Sequence, residues 1–140
     1  MTNRRDLIIT AFGMSLVLGR RAKSEPQETD IAVVVRRIKT LRPSMERYQC
    51  SMYLIKLASE KNPTNVSDED VWEIVGLLED RDISVRTSAA AALGALGHRA
   101  TSAVPALERA LKSEEAGSTS SRRQDLGANV IIRHALERIR

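Results

Sequence analysis

The first candidate for chemistry in the sequence is an acidic cluster near the middle of the chain. It consists of Asp68, Glu69, Asp70 and Glu73. Paired carboxylates can carry out acid–base catalysis or hold a metal ion. However, Ser67 and Asp70 have the spacing of a helix-capping pair, and the helix dipole favours negative charge in a first turn. We therefore expect these carboxylates to form the solvated start of a helix, without a metal or catalytic role.

Cysteine and histidine, the other common catalytic and metal-binding residues, are few. Cys50 is the only cysteine, which excludes an intramolecular disulfide and a zinc site of four cysteines. It falls on an apolar stripe and is expected to pack as a small hydrophobic side chain. His98 follows a glycine at a predicted helix end, where the dipole favours a cation, and His134 is the only other histidine. Because no nucleophile–base pair is visible, the sequence predicts a protein that is not an enzyme and uses no cofactor.

These side chains must be positioned by helices, and the clearest helix lies in residues 82–97. Its apolar stripe has helical spacing and contains Val85, Ala89, Ala92, Leu93 and Leu96. Asp82 stands at the N-cap position, and Gly97 stands where a helix typically ends. The small residues 89–92 allow neighbouring helices to approach on more than one side, as in a stacked array.

The pattern Asp-x-x-Val-Arg-x-x-Ala-Ala-x-Ala-Leu-Gly-x-Leu-Gly in this helix resembles the second helix of a HEAT repeat, in particular the phycobilisome-lyase-related type. The following segment, with Val104, Pro105 and Leu107, resembles the first helix of the next repeat. The resemblance implies an all-α fold, a short α-solenoid (α-α superhelix) of the armadillo-repeat type, that serves as a scaffold for protein binding. In this family, residues such as Asp82 and Arg86 tie adjacent repeats together by capping and salt bridges.

Residues 30–140 are predicted to form about three such helix pairs. In the first pair, Pro43 suits the first position of the second helix, and a shift of about 39 residues superimposes Arg47 on Arg86. In the third pair, residues 113–121 predict a long polar turn. Ser121 and Gln124 predict a capping box for the last helix. The apolar stripe of that helix is predicted to contain Ala128, Ile132, Ala135, Leu136 and Ile139.

The family resemblance also implies alternatives to a scaffold. The first is a lyase, or a lyase accessory protein, acting on a chromophore-bearing protein. A less favoured alternative is a nucleic-acid-binding HEAT-like module. HEAT-repeat hydroxylases of the deoxyhypusine type hold iron with His-Glu pairs, but His98 is followed by Arg99 and His134 by Ala135. We therefore expect no iron site.

The distribution of charge argues against a nucleic acid partner. The net charge is +4, but the excess lies in the first 24 residues, and residues 25–140 are neutral. A neutral body attracts a polyanion only weakly. Within it, residues 31–61 hold seven basic and two acidic groups, and residues 62–82 hold one basic and seven acidic groups. This asymmetry predicts attraction between neighbouring repeats or, alternatively, an oriented patch for a partner that includes Arg36 and Arg37.

Three apolar residues are predicted to contribute to interaction surfaces. Trp72 flanks the stripe of its helix; we expect it to pack between repeats, with a role as a partner-binding anchor as the alternative. Val130 and Ile131 lie off the last stripe, where no following repeat covers them. Exposed apolar residues indicate docking, so we expect a protein partner or self-association through the C-terminal helix.

Residues 1–24 have the pattern of a secretory leader. Leu7 to Gly19 form a weakly apolar run after a basic start, and Arg4-Arg5 resembles a twin-arginine export motif. The run is shorter than the ~20 residues that a transmembrane helix requires. The alternatives are a cytoplasmic helix that covers the end of the array and a retained membrane-associated helix, so export and a cytoplasmic location are about equally favoured. Residues 25–29 are predicted to be a linker.

Overall fold

The structure is a computed structural model that describes residues 30–60, 65–117 and 124–140. The regular elements in those ranges are all helical, as the apolar periodicity predicted, and these ranges contain no strand. The leader, the linker and the capping box predicted from Ser121 lie outside the described residues. None of the described helices is both long enough and apolar enough to span a membrane.

The helices form three successive pairs, as the sequence predicted. They are α1 (Ile31–Thr40), α2 (Met45–Glu60), α3 (Asp68–Val75), α4 (Ile83–Leu96), α5 (Val104–Gly117) and α6 (Gln124–Ile139). Short 3-10 segments, Gly76–Glu79 and Gly97–Ala103, connect α3 to α4 and α4 to α5. The second helices of the pairs lie side by side, and α4 packs extensively against both α2 and α6. The described part of the chain is therefore a short stack of helix pairs.

Capping residues set the ends of the central helices. The Asp82 carboxylate accepts a hydrogen bond of 2.9 Å from the Ser84 N–H at the start of α4, which satisfies one of the unpaired donors of the first turn. Gly97 ends the same helix with a φ of 57°, a conformation that side chains with a Cβ rarely adopt. Ser67 and Asp70 form the reciprocal capping box predicted for α3. These local signals in the sequence are confirmed.

Two predicted boundaries are wrong. Pro43 does not begin the second helix, because α2 starts at Met45, where the Ser44 hydroxyl accepts a hydrogen bond from the backbone N–H of Arg47. The polar turn does not begin at residue 113, because α5 continues to Gly117. The extra turn of α5 contains Glu114, whose carboxylate is only 11% exposed and pairs with a guanidinium of α4. This interhelical ion pair holds a polar sequence in helical form.

The core consists of Leu, Ile, Val and Ala from all six described helices. Its members include Ile31, Ile38, Leu54, Val71, Ile74, Val85, Ala89, Leu93, Leu96, Leu107, Ile132, Ala135, Leu136 and Ile139. Val104 is partly buried and Pro105 is exposed in the first turn of α5. Gly94 lets α4 and α6 approach closely, since a Cβ there would lie 3.0 Å from the Cα of Ala135.

The last helix differs from the central one on the side where a further repeat would pack. When Ala135-Leu136 is aligned with Ala92-Leu93, Arg133 falls on Ala90 and Glu137 falls on Gly94. Ala90 and Gly94 are buried, whereas Arg133 and Glu137 are exposed. Terminal repeats require a polar outer side of this kind. The outer side of α6 is therefore polar, unlike that of α4.

Candidate functional site

Arginines at equivalent positions of the first two pairs reach forward to the next pair. Arg47 on α2 is 9% exposed and donates to the Asp80 carboxylate at 2.6 Å and to the Ile38 carbonyl at 3.0 Å. It also lies 3.5 Å from the Asp82 carboxylate. Arg86 on α4 donates to the Glu114 carboxylate at 2.5 Å and to the backbone carbonyl of Asp80 at 2.9 Å. The structure thus places Asp82 and Arg86 in contacts that tie neighbouring pairs together.

The third pair lacks this arginine. Asn129 occupies the position that corresponds to Arg86. It is half-buried, and its side-chain oxygen is buried without a hydrogen-bond partner. The third pair therefore lacks the arginine with which the first two pairs contact the pair that follows.

Two residues of the acidic cluster on α3 have structural contacts. Asp70 accepts a hydrogen bond from the backbone N–H of Ser67, and Glu73 pairs with Lys39 of the first pair at 3.1 Å. A hollow of about 620 Å³ beside α3 and α5 contains the Arg86–Glu114 pair. Among the described residues, no group of three or more His, Cys, Asp or Glu side chains is arranged to hold a metal ion.

The remaining candidate side chains for chemistry lie in structural positions. Cys50 is half-buried on α2, and burial raises the pKa of its thiol, although the nearby Arg37 guanidinium acts in the opposite direction. A raised pKa makes a thiol a weaker nucleophile at neutral pH. The Nδ1 atom of His98 lies 3.0 Å from the carbonyl oxygen of Ile139 at the end of α6. His98 therefore connects the end of α4 to the last helix.

An apolar trough runs along the surface formed by α2, α4 and α6. It joins two hollows of about 500 and 330 Å³ that share Ile55, Ala91 and Ile131 in their linings. One wall is formed by Tyr48, Met52 and Ile55 of α2, the other by Val130, Ile131 and His134 of α6, and the floor by Ser84, Thr87, Ala91 and Ala95 of α4. The hydroxyl of Thr87 donates to the carbonyl of Ile83 at 2.7 Å. The floor therefore offers few free polar groups.

The trough arises from a difference in side-chain size at equivalent positions of the three second helices. Thr87 corresponds to Tyr48 in α2 and to Val130 in α6, and Ala91 corresponds to Met52 and His134. The middle helix thus carries small side chains where its neighbours carry larger ones. Three large apolar residues on these positions are exposed to solvent. They are Tyr48 (46%), Met52 (45%) and Val130 (63%).

The predicted interaction residues divide between this trough and other surfaces. Val130 is exposed as expected, but Ile131 is half-buried and lines both hollows instead of lying on an uncovered end. Trp72 does not pack between repeats: its side chain is 55% exposed on α3, away from the trough lining. Arg36 and Arg37 lie on α1, where Arg37 pairs with Glu46 at 3.1 Å. The two arginines are thus separate from the trough.

The sequence prediction missed Tyr48, Met52 and Ile55 as site residues. The informative signal was the repeat alignment itself, because a shift of 39 residues places Tyr48 on Thr87 and Met52 on Ala91. When equivalent positions of three neighbouring helices hold a large, a small and a large side chain, a groove over the middle helix is predicted.

Comparison with known proteins agrees with this arrangement. Residues 85–113 match the family model described as PBS lyase HEAT-like repeat. The matched segment contains most of α4, the 3-10 connection and most of α5, so it joins the second helix of one pair to the first helix of the next. No curated protein and no solved structure matches the chain significantly. The chain thus contains a HEAT-like repeat within an all-α helical repeat fold.

Proposed function

We propose that this HEAT-like repeat chain is a non-enzymatic adaptor that binds a protein partner in the trough between α2 and α6. The observation that carries the proposal is that Tyr48, Met52 and Val130, three of the six large apolar side chains exposed among the described residues, line this surface. Contiguous exposed apolar surface of this kind marks interaction sites in soluble proteins. Tyr48 and Met52 are aromatic and thioether side chains of the types enriched at such sites.

The shape and chemistry of the trough favour a macromolecule over a small substrate. Small-molecule sites combine an apolar pocket with a few convergent polar groups. Here the inward-facing Thr87 hydroxyl is bonded to its own helix, and the remaining floor is made of Ser and Ala side chains. An open apolar surface of this length gains free energy mainly by burying a comparable apolar surface of another chain.

A matched pair of substitutions tests the proposal. Met52→Glu places a charge on the trough wall, and Trp72→Glu makes a comparable change on a first helix outside the trough. Both side chains are exposed, 45% and 55% respectively, so neither change should unfold the protein. Partner proteins recovered with the wild-type chain from native cells should be lost with Met52→Glu and kept with Trp72→Glu. The opposite result would identify Trp72 as the anchor and refute the proposed use of the trough.

The other functions implied by the family resemblance give different results. A lyase or lyase accessory protein should produce a tetrapyrrole absorption spectrum on incubation with bilin and an acceptor protein. A nucleic-acid-binding module should retain DNA in a salt-dependent manner. Self-association through the C-terminal helix should appear as a larger species in sedimentation that Val130→Lys and Ile131→Lys convert to a smaller one. Each result would replace the adaptor function.

A further inference from the structure

We propose that the trough binds an amphipathic α-helix of the partner, with the acidic end of that helix at the end of the trough that carries Lys56 and Arg138. This inference depends on the proposed function, because it specifies the partner of the same surface. It is based on the dimensions of the trough, on its lack of backbone hydrogen-bonding groups and on the sign of the charges at one end.

The dimensions suit one helix. From Ser84 to Ala95, the floor of the trough spans twelve residues of α4, and the eleven steps between them correspond to roughly 16 Å at the helical rise of 1.5 Å per residue. Packed helices lie about 8–10 Å apart, so α2 and α6 flank α4 with space between their walls for one helix of about 10 Å diameter. Small residues on the floor permit close approach. A partner helix of three turns would therefore lie along α4.

Hydrogen bonding favours a helix over an extended peptide. An extended segment has unpaired backbone groups that must find partners when they are buried. The trough is lined by side chains of helices whose own backbone groups are already bonded, and the Thr87 hydroxyl is bonded to Ile83. A helix satisfies its backbone internally and needs only apolar side chains to fill the trough. Anchors at positions i, i+4, i+7 and i+11 would match its length.

The charge at one end sets the direction of the partner. Lys56 of α2 and Arg138 of α6 occupy equivalent positions at the two sides of the Ala95 end. Arg138 lines the second hollow together with Ala95 and Ser59, and Lys56 lies one turn before Ser59 on α2. No carboxylate lines either hollow of the trough among the described residues. Lys56 lies 3.8 Å from Glu60 in an exposed pair that cancels part of its charge, so the positive charge of this end comes mainly from Arg138, which has no carboxylate beside it in the lining. The end is therefore basic and complements acidic side chains.

A second copy of the chain fits this surface less well than a helix does. A twofold dimer places the same surface on both subunits, and two troughs that face each other leave their floors apart. A single convex helix fills the trough along its length.

Selection from a random library of 18-residue helical peptides, displayed on phage, tests the inference with the full-length chain as bait. Met52→Glu serves as the blocked control, and Trp72→Glu as the matched control outside the trough. Charge reversal at the basic end, with Lys56→Glu and Arg138→Glu combined, tests direction. The affinity of a selected peptide for each variant is then measured by fluorescence anisotropy at low and high salt.

Support requires selected peptides with apolar residues at helical spacing and Asp or Glu at one end. Their affinity should fall about tenfold on charge reversal at low salt and less at high salt. Selected helices without acidic ends would overturn the proposed direction of the partner helix. Proline-rich or alternating sequences would overturn the helical partner itself. Both results would leave the trough as a binding surface. Enrichment that is equal on the Met52→Glu bait would overturn the proposed function itself. A dimer in sedimentation that Met52→Glu dissolves would identify a second copy as the occupant and also overturn the inference.

Discussion

The guanidinium of Arg47 makes the junction of the first and second helix pairs sensitive to a single substitution. It is 9% exposed and donates to the Asp80 carboxylate at 2.6 Å and to the Ile38 carbonyl at 3.0 Å. Arg47→Ala removes both bonds and leaves the carboxylate, which is 14% exposed, without its cation. Breaking a buried pair in this way costs about 3–5 kcal/mol. Asp80 keeps a hydrogen bond from the Asp82 N–H at 2.9 Å, so we expect the lower part of that range, about 3–4 kcal/mol.

Urea unfolding of the full chain, followed by circular dichroism at 222 nm, measures this loss. The expected change corresponds to a factor of roughly 150–1000 in the folding equilibrium. Arg37→Ala is the matched control, because Arg37 forms an ion pair with Glu46 in which both side chains are about half exposed. Such pairs contribute less than about 1 kcal/mol.

Arg47→Lys keeps the charge but loses the forked set of donors. It should therefore have an intermediate stability and remain measurable if Arg47→Ala does not fold. The reasoning is refuted if Arg47→Ala and Arg37→Ala destabilise the protein equally.

Three further predictions concern other positions. Gly94→Ala should lower the free energy of unfolding by about 1–3 kcal/mol relative to Gly127→Ala, because a Cβ at Gly94 meets the Ala135 backbone at 3.0 Å and one at Gly127 meets nothing within 4 Å; equal urea midpoints would contradict this. Gly97→Ala should cost about 1–3 kcal/mol in the same assay, since its φ is 57°; an unchanged midpoint would show that the backbone relaxes. Burial raises the pKa of the Cys50 thiol, so its thiolate is scarcer at pH 8 and its alkylation by iodoacetamide should be slower than that of free cysteine; a rate equal to that of free cysteine would be evidence against the burial.

The features that the sequence predicted correctly depend on local chemistry. The caps at Asp82 and Gly97 and the apolar stripes of the helices need only neighbours within one or two turns, so they are readable from spacing alone. The predicted end of α5 was wrong because the last turn of this helix depends on Glu114, whose ion-pair partner Arg86 is 28 residues away. The trough also depends on distant residues, because it appears only when α2, α4 and α6 are placed side by side. The exposure of Trp72 could not be predicted for the same reason. Its spacing places it beside the apolar stripe of α3 but does not show whether another helix packs against it.

Three positions of α6 oppose the packing of a further helix pair against it. Asn129, Arg133 and Glu137 stand where the central helix has Arg86, Ala90 and Gly94. Asn129 is too short to reach a following helix pair as Arg86 does. Arg133 and Glu137 are charged and exposed where a following pair would require small residues. A consensus HEAT-like helix pair fused after α6 should pack poorly against it until all three residues are replaced by their counterparts in α4. The packing of a further pair thus depends on a few side chains of a single helix.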